Sequence, residues 1–283
     1  MSDLAGPIGA PVDSARARPP RDARGNAAWR RLHRLACAPY RSGGQFAWRF
    51  AQGKLGRDPV FRGLLERGDL PPHARVLDIG CGQGLLASLL SAIDRVVADG
   101  AWPACWPLPP TGARYTGLEL MPRDVARARA ALAALPCPPS LVCGDMCRFD
   151  LPLSEVVVIL DVLHYVDHAA QAALLQRVRD ALQPHGRLLL RVGDQSARRG
   201  FLISQWVDHV VTLVRGHRVP PTFGRPLAAW ITLLEGLGFE VHSVPMSAGT
   251  PFANVLLVAD LAAPCRLELP AVPVPGAVAE GAS

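Results

Sequence analysis

The chain has 283 residues, about half of them apolar and about a fifth charged. That is enough to bury a core without disulfides or metals, and it excludes a disordered chain. The formal charge is +6, but seven Arg against three Asp fall within residues 1–34, leaving a nearly neutral body, so the broad basic groove of a nucleic-acid protein is not expected. Lys54 is the only lysine.

In chain order, residues 1–27 are rich in Pro, Ala and Arg without periodicity and predict a disordered leader. Residues 28–70 read as helices placed before the sheet, a candidate lid over an acceptor site. Apolar runs then predict strands at Arg75–Ile79, Tyr115–Leu120, Ser140–Cys143, Val156–Leu160, Arg187–Val192, Phe239–Val244 and Asn254–Ala259. Most are continuous rather than alternating, the pattern of a sheet covered on both faces. Helical patterns lie between them. One is Ala169–Leu182, with Leu174, Leu175, Val178 and Leu182 on one face. Another is Ile203–Gly216, with Trp206, Val210, Leu213 and Val214 on an apolar stripe that serves either the core or a lid. Pro245–Phe252 is too short for a helical crossover, so the last two strands must run antiparallel. The expected fold is α/β, a doubly wound seven-stranded, mostly parallel sheet over residues 71–261, with a flexible Pro-broken tail at 262–283.

Seven Cys, an odd number without a C-x-x-C pair, argue against a disulfide framework or a structural zinc site, so no metal is expected. No apolar run is long enough to span a membrane, and residues 1–20 lack the apolar segment of a secretory signal. A cytoplasmic protein is the expectation.

Four motifs fall at the C-terminal ends of predicted strands, where an open α/β sheet places its ligand crevice. The first is Val76-Leu77-Asp78-Ile79-Gly80-Cys81-Gly82-Gln83-Gly84, a strand, a glycine turn and a helix start. Glycines let a ligand approach the backbone, and the helix N-terminus offers free N–H groups. A nicotinamide-binding turn would carry Gly where this chain has Leu85. The second strand ends at Glu119-Leu120, where a carboxylate can grip a ribose diol. The wide spacing from Gly80 to Glu119 is accounted for by a Pro/Trp-rich insertion, Asp99–Ala113. Its Trp102 and Trp106 could join the lid or cap the sheet edge. The third strand ends Cys143-Gly144-Asp145-Met146, and the fourth ends Asp161-Val162-Leu163-His164-Tyr165.

Taken in order, these motifs resemble those of class I S-adenosylmethionine-dependent methyltransferases. The resemblance implies S-adenosylmethionine as cofactor. It implies that Asp78 helps hold the methionine ammonium and that Gly80, Cys81, Gly82 and Gly84 pass close to the cofactor. Glu119 and Leu120 would meet the ribose, Asp145 and Met146 the adenine, and Asp161 the methionine end. Gln183-Pro184-His185-Gly186 is similar to the family's turn before strand five, with His185 in place of a glycine. His164 is the candidate general base for a hydroxyl acceptor or a shaping wall, and Tyr165 is a pocket wall or core.

Nucleic-acid acceptors are disfavoured by missing parts. The segment after strand four lacks the Asn/Asp-Pro-Pro-aromatic of adenine methylation, no cysteine is placed for cytosine C5 chemistry, and there is no set of catalytic lysines. A small molecule remains. Gly53–Phe61 (containing Lys54 and Asp58), Val158–Tyr165 and Pro245–Val255 further resemble the methyltransferases of bacterial aryl-polyene and xanthomonadin-type pigment clusters. This implies an aryl head group as acceptor, free or linked to a carrier protein. The competing expectations are a non-catalytic cofactor-binding partner in a biosynthetic assembly and an NAD(P)-dependent oxidoreductase. The oligomeric state is left open by the sequence.

Overall fold

The computed structural model describes residues 23–193, 222–246 and 254–262. The leader at 1–22, the apolar stripe at 203–216, the Ser247–Ala253 part of the last pigment-type motif and the tail at 263–283 lie outside the described residues. Three helices come first: α1 (Ala23–Cys37), α2 (Gln45–Arg57) and α3 (Pro59–Arg67). Next follow β1 (Arg75–Ile79), α4 (Leu85–Ala98), β2 (Arg114–Glu119), α5 (Pro122–Leu132), β3 (Ser140–Cys143) and β4 (Ser154–Leu160). The chain continues with α6 (His168–Ala181), β5 (Leu182–Gly193), α7 (Leu227–Gly236), β6 (Phe239–Pro245) and β7 (Asn254–Leu261).

One sheet of seven strands has the order β3-β2-β1-β4-β5-β7-β6. The first five strands are parallel, and β7 runs antiparallel to both β5 and β6. The expected sheet and its antiparallel final strand are therefore present. The strand order reverses between β1 and β4, which opens a crevice beyond their C-terminal ends. All seven expected strands occur, with boundary differences of a few residues at most except in β5. That strand begins five residues early, at Leu182, and a register shift between Ser154 and Val156 absorbs Gln183–Gly186. His185 there adopts a left-handed φ of 62°, which explains why a glycine suits the same place in the resembled turn.

One expectation needs correction. Helix α1 starts at Ala23, so residues 23–27 are helical rather than part of a leader. The helices at 28–70 are present, but their apolar faces belong to the core. Leu32, Ala36, Tyr40, Ala47, Ala51, Leu55, Val60 and Leu64 are fully buried in one cluster with α4 and one sheet face. Polar ties fix the packing: Tyr40 donates its hydroxyl to the Gln83 carbonyl at 2.8 Å and Ser88 to that of Ala36 at 2.7 Å. Four of the eight, Leu32, Leu55, Val60 and Leu64, are large aliphatics whose burial contributes roughly 1.5–3 kcal/mol each. The second cluster, on the opposite face, joins α6 and α7 through Leu174, Leu175, Val178, Trp230 and Leu234. In the insertion, Trp102 and Trp106 meet edge to face at 5.3 Å and pack against the first cluster.

Candidate active site

The glycine loop between β1 and α4 is built from three left-handed residues, Gly80, Gly82 and Gly84, with φ of 78°, 56° and 71°. They are not equivalent. A Cβ on Gly80 would lie 2.4 Å from Val162 Cγ1, and one on Gly84 would lie 2.8 Å from Leu132 Cδ1. Those two glycines serve internal packing. A Cβ on Gly82 would meet nothing within 4 Å, so this residue borders open space in the crevice. Cys81 sends its thiol inward, 2.7 Å from where a Cβ on Gly117 would sit.

Glu119 closes the other side. Its Oε2 accepts from the Gly82 N–H at 2.9 Å and its Oε1 from the Met121 N–H at 2.8 Å. Burial raises its carboxyl above the ordinary value, and these two N–H groups oppose the rise. Each carboxylate oxygen keeps a second lone pair, so the group is oriented by the loop without being saturated. Leu120, next in the chain, is 61% exposed at the crevice edge.

Asp78 lies deeper. It is 5% exposed and accepts the Tyr115 hydroxyl at 2.6 Å. Burial pushes its pKa up to about 7; the Tyr115 hydrogen bond opposes the rise and the charge of Glu119 adds to it. A ligand cation would favour its charged form. Asp145 caps the following turn, accepting the Cys147 N–H at 2.9 Å, and its side chain is about half exposed. Met146 packs against the second core cluster.

Past β4 the chain turns through Asp161, whose φ of 59° is left-handed without being a glycine. The Asp161 carboxylate does not stand open for a ligand alone. It receives Arg191 Nε at 2.7 Å and Arg191 Nη2, and Lys54 Nζ lies 3.5 Å away. Burial alone would raise its pKa, but Arg191 and Lys54 hold it below the usual carboxylate range. A short 3-10 turn, Leu163–Tyr165, then presents His164 and Tyr165, whose rings lie 4.2 Å apart. Burial pushes the His164 imidazole below its ordinary value against the opposing charge of Asp161.

Three groups in this region escape the sequence motifs. Gln171 of α6 is fully buried and donates to the carbonyls of Leu163, Val166 and Phe223 while accepting from Arg225. It ties the turn of His164 to the segment at 222–225. Tyr115 is the partner of Asp78. Arg191, with Asp58, anchors the end of β4. The available signal was a charged residue inside the apolar run Leu188-Leu189-Leu190-Arg191-Val192, because a buried charge demands a partner.

Residues 47–244 match the methyltransferase-domain family, which covers most of the chain. The chain belongs to that family. The chain has the fold of class I S-adenosylmethionine-dependent methyltransferases. It resembles an O-methyltransferase family protein from Burkholderia thailandensis (TM-score 0.55, 17% identity, 85% of this chain and 70% of that one). It also resembles the magnesium protoporphyrin IX methyltransferase of Synechocystis with bound S-adenosylhomocysteine (TM-score 0.52, 19% identity, 84% and 94%).

Among curated proteins, the methyltransferase is 31% identical over 130 residues to the carboxy-S-adenosyl-L-methionine synthase of Aeromonas hydrophila, covering 45% of this chain and 47% of that one. It is 32% identical over 137 residues to the acetylserotonin O-methyltransferase of Mus musculus, covering 45% and 30%. The chain thus spans about half the length, or less, of the curated relatives it matches. The residues fit the cofactor: open space beside Gly82, an oriented carboxylate at Glu119 and a buried acid at Asp78 suit a cationic nucleoside ligand. Among the described residues no cluster of three or more His, Cys, Asp or Glu could hold a metal ion, and no helix is long and apolar enough to cross a membrane.

Proposed function

We propose that the methyltransferase transfers the methyl group of S-adenosylmethionine to a hydroxyl of a small aromatic acceptor. The observation that carries this reading is the placement of His164: half-buried, its pKa pushed below the ordinary histidine value by burial, on the turn that follows β4 at the crevice. The bound cofactor supplies a methyl group made electrophilic by the sulfonium. Glu119, Gly82 and Asp78 would bind and orient it, and alignment of the two reactants can contribute roughly 7–11 kcal/mol. His164 would accept the phenolic proton as the oxygen becomes nucleophilic, a contribution of about 10²–10⁴-fold. Tyr165, ring to ring with His164, would form the wall against which a flat acceptor rests.

Within this class the pigment-type resemblance of Gly53–Phe61 and Val158–Tyr165 points to an aryl head group, free or carrier-linked. The mammalian relative is named for a hydroxylated aromatic, acetylserotonin, which agrees with a phenolic acceptor. A second reading draws on the names of the bacterial relatives: a carboxylic acid would give up its carboxyl group as CO2, which joins the S-methyl carbon of S-adenosylmethionine, while the proton leaving that carbon passes to the decarboxylated donor. Incubating the enzyme with methyl-labelled S-adenosylmethionine, a panel of hydroxyaryl acids, free and carrier-linked, and a panel of readily decarboxylated acids as carboxyl donors separates these. Label in an acceptor, with S-adenosylhomocysteine as co-product, is the expected result. A mass increase of the sulfonium compound without labelled acceptor would favour the second reading.

A further inference from the structure

A compact ion cluster joins the N-terminal helices to the crevice and ties one of the motif acids, Asp161, to residues outside the cofactor motifs. Its centre is Arg191 of β5, 2% exposed. One edge of the guanidinium holds Asp58, with Nη1 at 2.5 Å from Oδ1 and Nη2 at 2.8 Å from Oδ2. The other edge holds Asp161 through Nε and Nη2. Lys54, one helical turn before Asp58, adds its ammonium at 2.8 Å from Asp58 and 3.5 Å from Asp161. Two cations face two carboxylates, so the cluster is balanced. Asp58 is fixed in turn, because its backbone ends α2 and its side chain caps α3 through the Val60 N–H at 3.0 Å. This explains what residues of the Gly53–Phe61 motif do in the fold.

The cluster acts on a strained place. Asp161 is left-handed, a conformation that costs a non-glycine residue and persists where surroundings over-determine it. The turn it makes seats Val162 against Gly80, where even a single added Cβ would collide at 2.4 Å. Three residues beyond Asp161 stands His164. A different φ at Asp161 would therefore move Val162 and the imidazole that follows it, while Gly80 stays held from β2 by its own N–H to the Leu118 carbonyl at 2.8 Å.

We propose that Arg191, anchored on Asp58, is a positioning residue for methyl transfer: it holds Asp161 in the left-handed turn that seats Val162 on Gly80 and sets His164 in the crevice. The proposal rests on the methyl-transfer reading for its consequence in turnover. Asp161 itself, on this account, works through its backbone and its tie to Arg191 rather than as a cofactor ligand.

Three substitutions at one position separate the possibilities. Asp161→Asn keeps an acceptor for Arg191 and tolerates the left-handed region. Asp161→Gly loses the carboxylate but adopts that φ freely. Asp161→Ala loses both. For each full-length variant, S-adenosylhomocysteine affinity is measured by calorimetry, the His164 imidazole resonance by NMR (assigned with His164→Gln), and kcat on the acceptor. The expected order in kcat is Asn, then Gly, then Ala, with Ala at least tenfold below Asp and its His164 resonance displaced. Affinity for S-adenosylhomocysteine stays within about threefold throughout the series. If Ala does not fold, Arg191→Lys takes its place, since a point charge cannot span two carboxylates as the planar fork does. It should displace the His164 resonance and lower kcat while leaving affinity near native.

Loss of affinity by tenfold or more in Asp161→Asn would overturn the proposal and make the carboxylate a ligand. So would equal behaviour of Gly and Ala, or an unmoved resonance in Ala and Arg191→Lys. If no acceptor is ever methylated, the methyl-transfer reading falls, yet the resonance still decides whether the cluster positions His164.

Discussion

Replacing Gly82 by Ala separates ligand binding from folding in the glycine loop. All three loop glycines are left-handed, so an alanine at any of them incurs about 1–2 kcal/mol of backbone strain. At Gly82 the added methyl meets no protein atom within 4 Å, so strain is the whole cost. At about 2–4 °C per kcal/mol for a domain of this size, the expected fall in Tm is about 2–8 °C. At Gly80 the same methyl is driven into Val162, 2.4 Å from Cγ1, which adds about 1–3 kcal/mol of overpacking and deepens the fall accordingly. Gly100 supplies the control: φ is 64°, a Cβ there also meets nothing within 4 Å, and it lies in the insertion. Gly82→Ala and Gly100→Ala should therefore match in differential scanning fluorimetry. In calorimetry with S-adenosylhomocysteine only Gly82→Ala should weaken binding, by tenfold or more, about 1.4 kcal/mol. Native affinity in a folded Gly82→Ala protein would refute the assignment of the crevice to that face of the loop.

Three further outcomes follow from the same geometry. Asp78 is raised to about 7 in the folded chain, above its unfolded value, so its stabilising effect is full below pH 4 and is lost as pH climbs towards 7. Asp78→Asn should flatten that part of the Tm–pH curve, and an unchanged slope would show that Asp78 ionises freely. His164→Ala should lower kcat without altering S-adenosylhomocysteine affinity. The native pH–rate profile should have an ascending limb below the ordinary histidine value, which the variant loses; a variant with native rate and profile would leave His164 as a wall. Removing residues 1–27 takes away Asn26, which accepts from buried Arg62 at 2.8 Å. Leaving that donor unpaired costs about 1–3 kcal/mol, so Tm should drop by about 2–12 °C, and an unmoved Tm would show that the contact contributes nothing.

The sheet was legible because its strands are covered on both faces. Val156–Leu160 and Leu188–Leu190 read as continuous apolar runs for that reason, and the short Pro245–Phe252 link forced the final pair to be antiparallel. The glycine loop was visible as a motif, but the division of labour within it was not. Gly80 answers to Val162 and Gly84 to Leu132, contacts distant in sequence. The start of α1 was hidden because Arg and Pro dominate the residues before it, and tertiary burial of Ala28 and Leu32 overrides that composition. The cluster of Lys54, Asp58, Asp161 and Arg191 unites residues 133 positions apart, so no local pattern could assemble it. Asp161, which the resemblance puts at the methionine end of the cofactor, also has its carboxylate engaged by Arg191 and Lys54, a tie that nothing near it in the sequence announces.

The most direct measurement is a calorimetric titration of the full chain with S-adenosylhomocysteine, beside NADH and NADPH, repeated on Glu119→Ala. The account predicts saturable binding of S-adenosylhomocysteine and none of the nicotinamides. It also predicts a loss of about tenfold or more in the variant, since a hydrogen bond to a charged group is worth about 1.5–3 kcal/mol. Failure to bind S-adenosylhomocysteine, binding of a nicotinamide cofactor in its place, or unchanged affinity in a folded Glu119→Ala protein would contradict it.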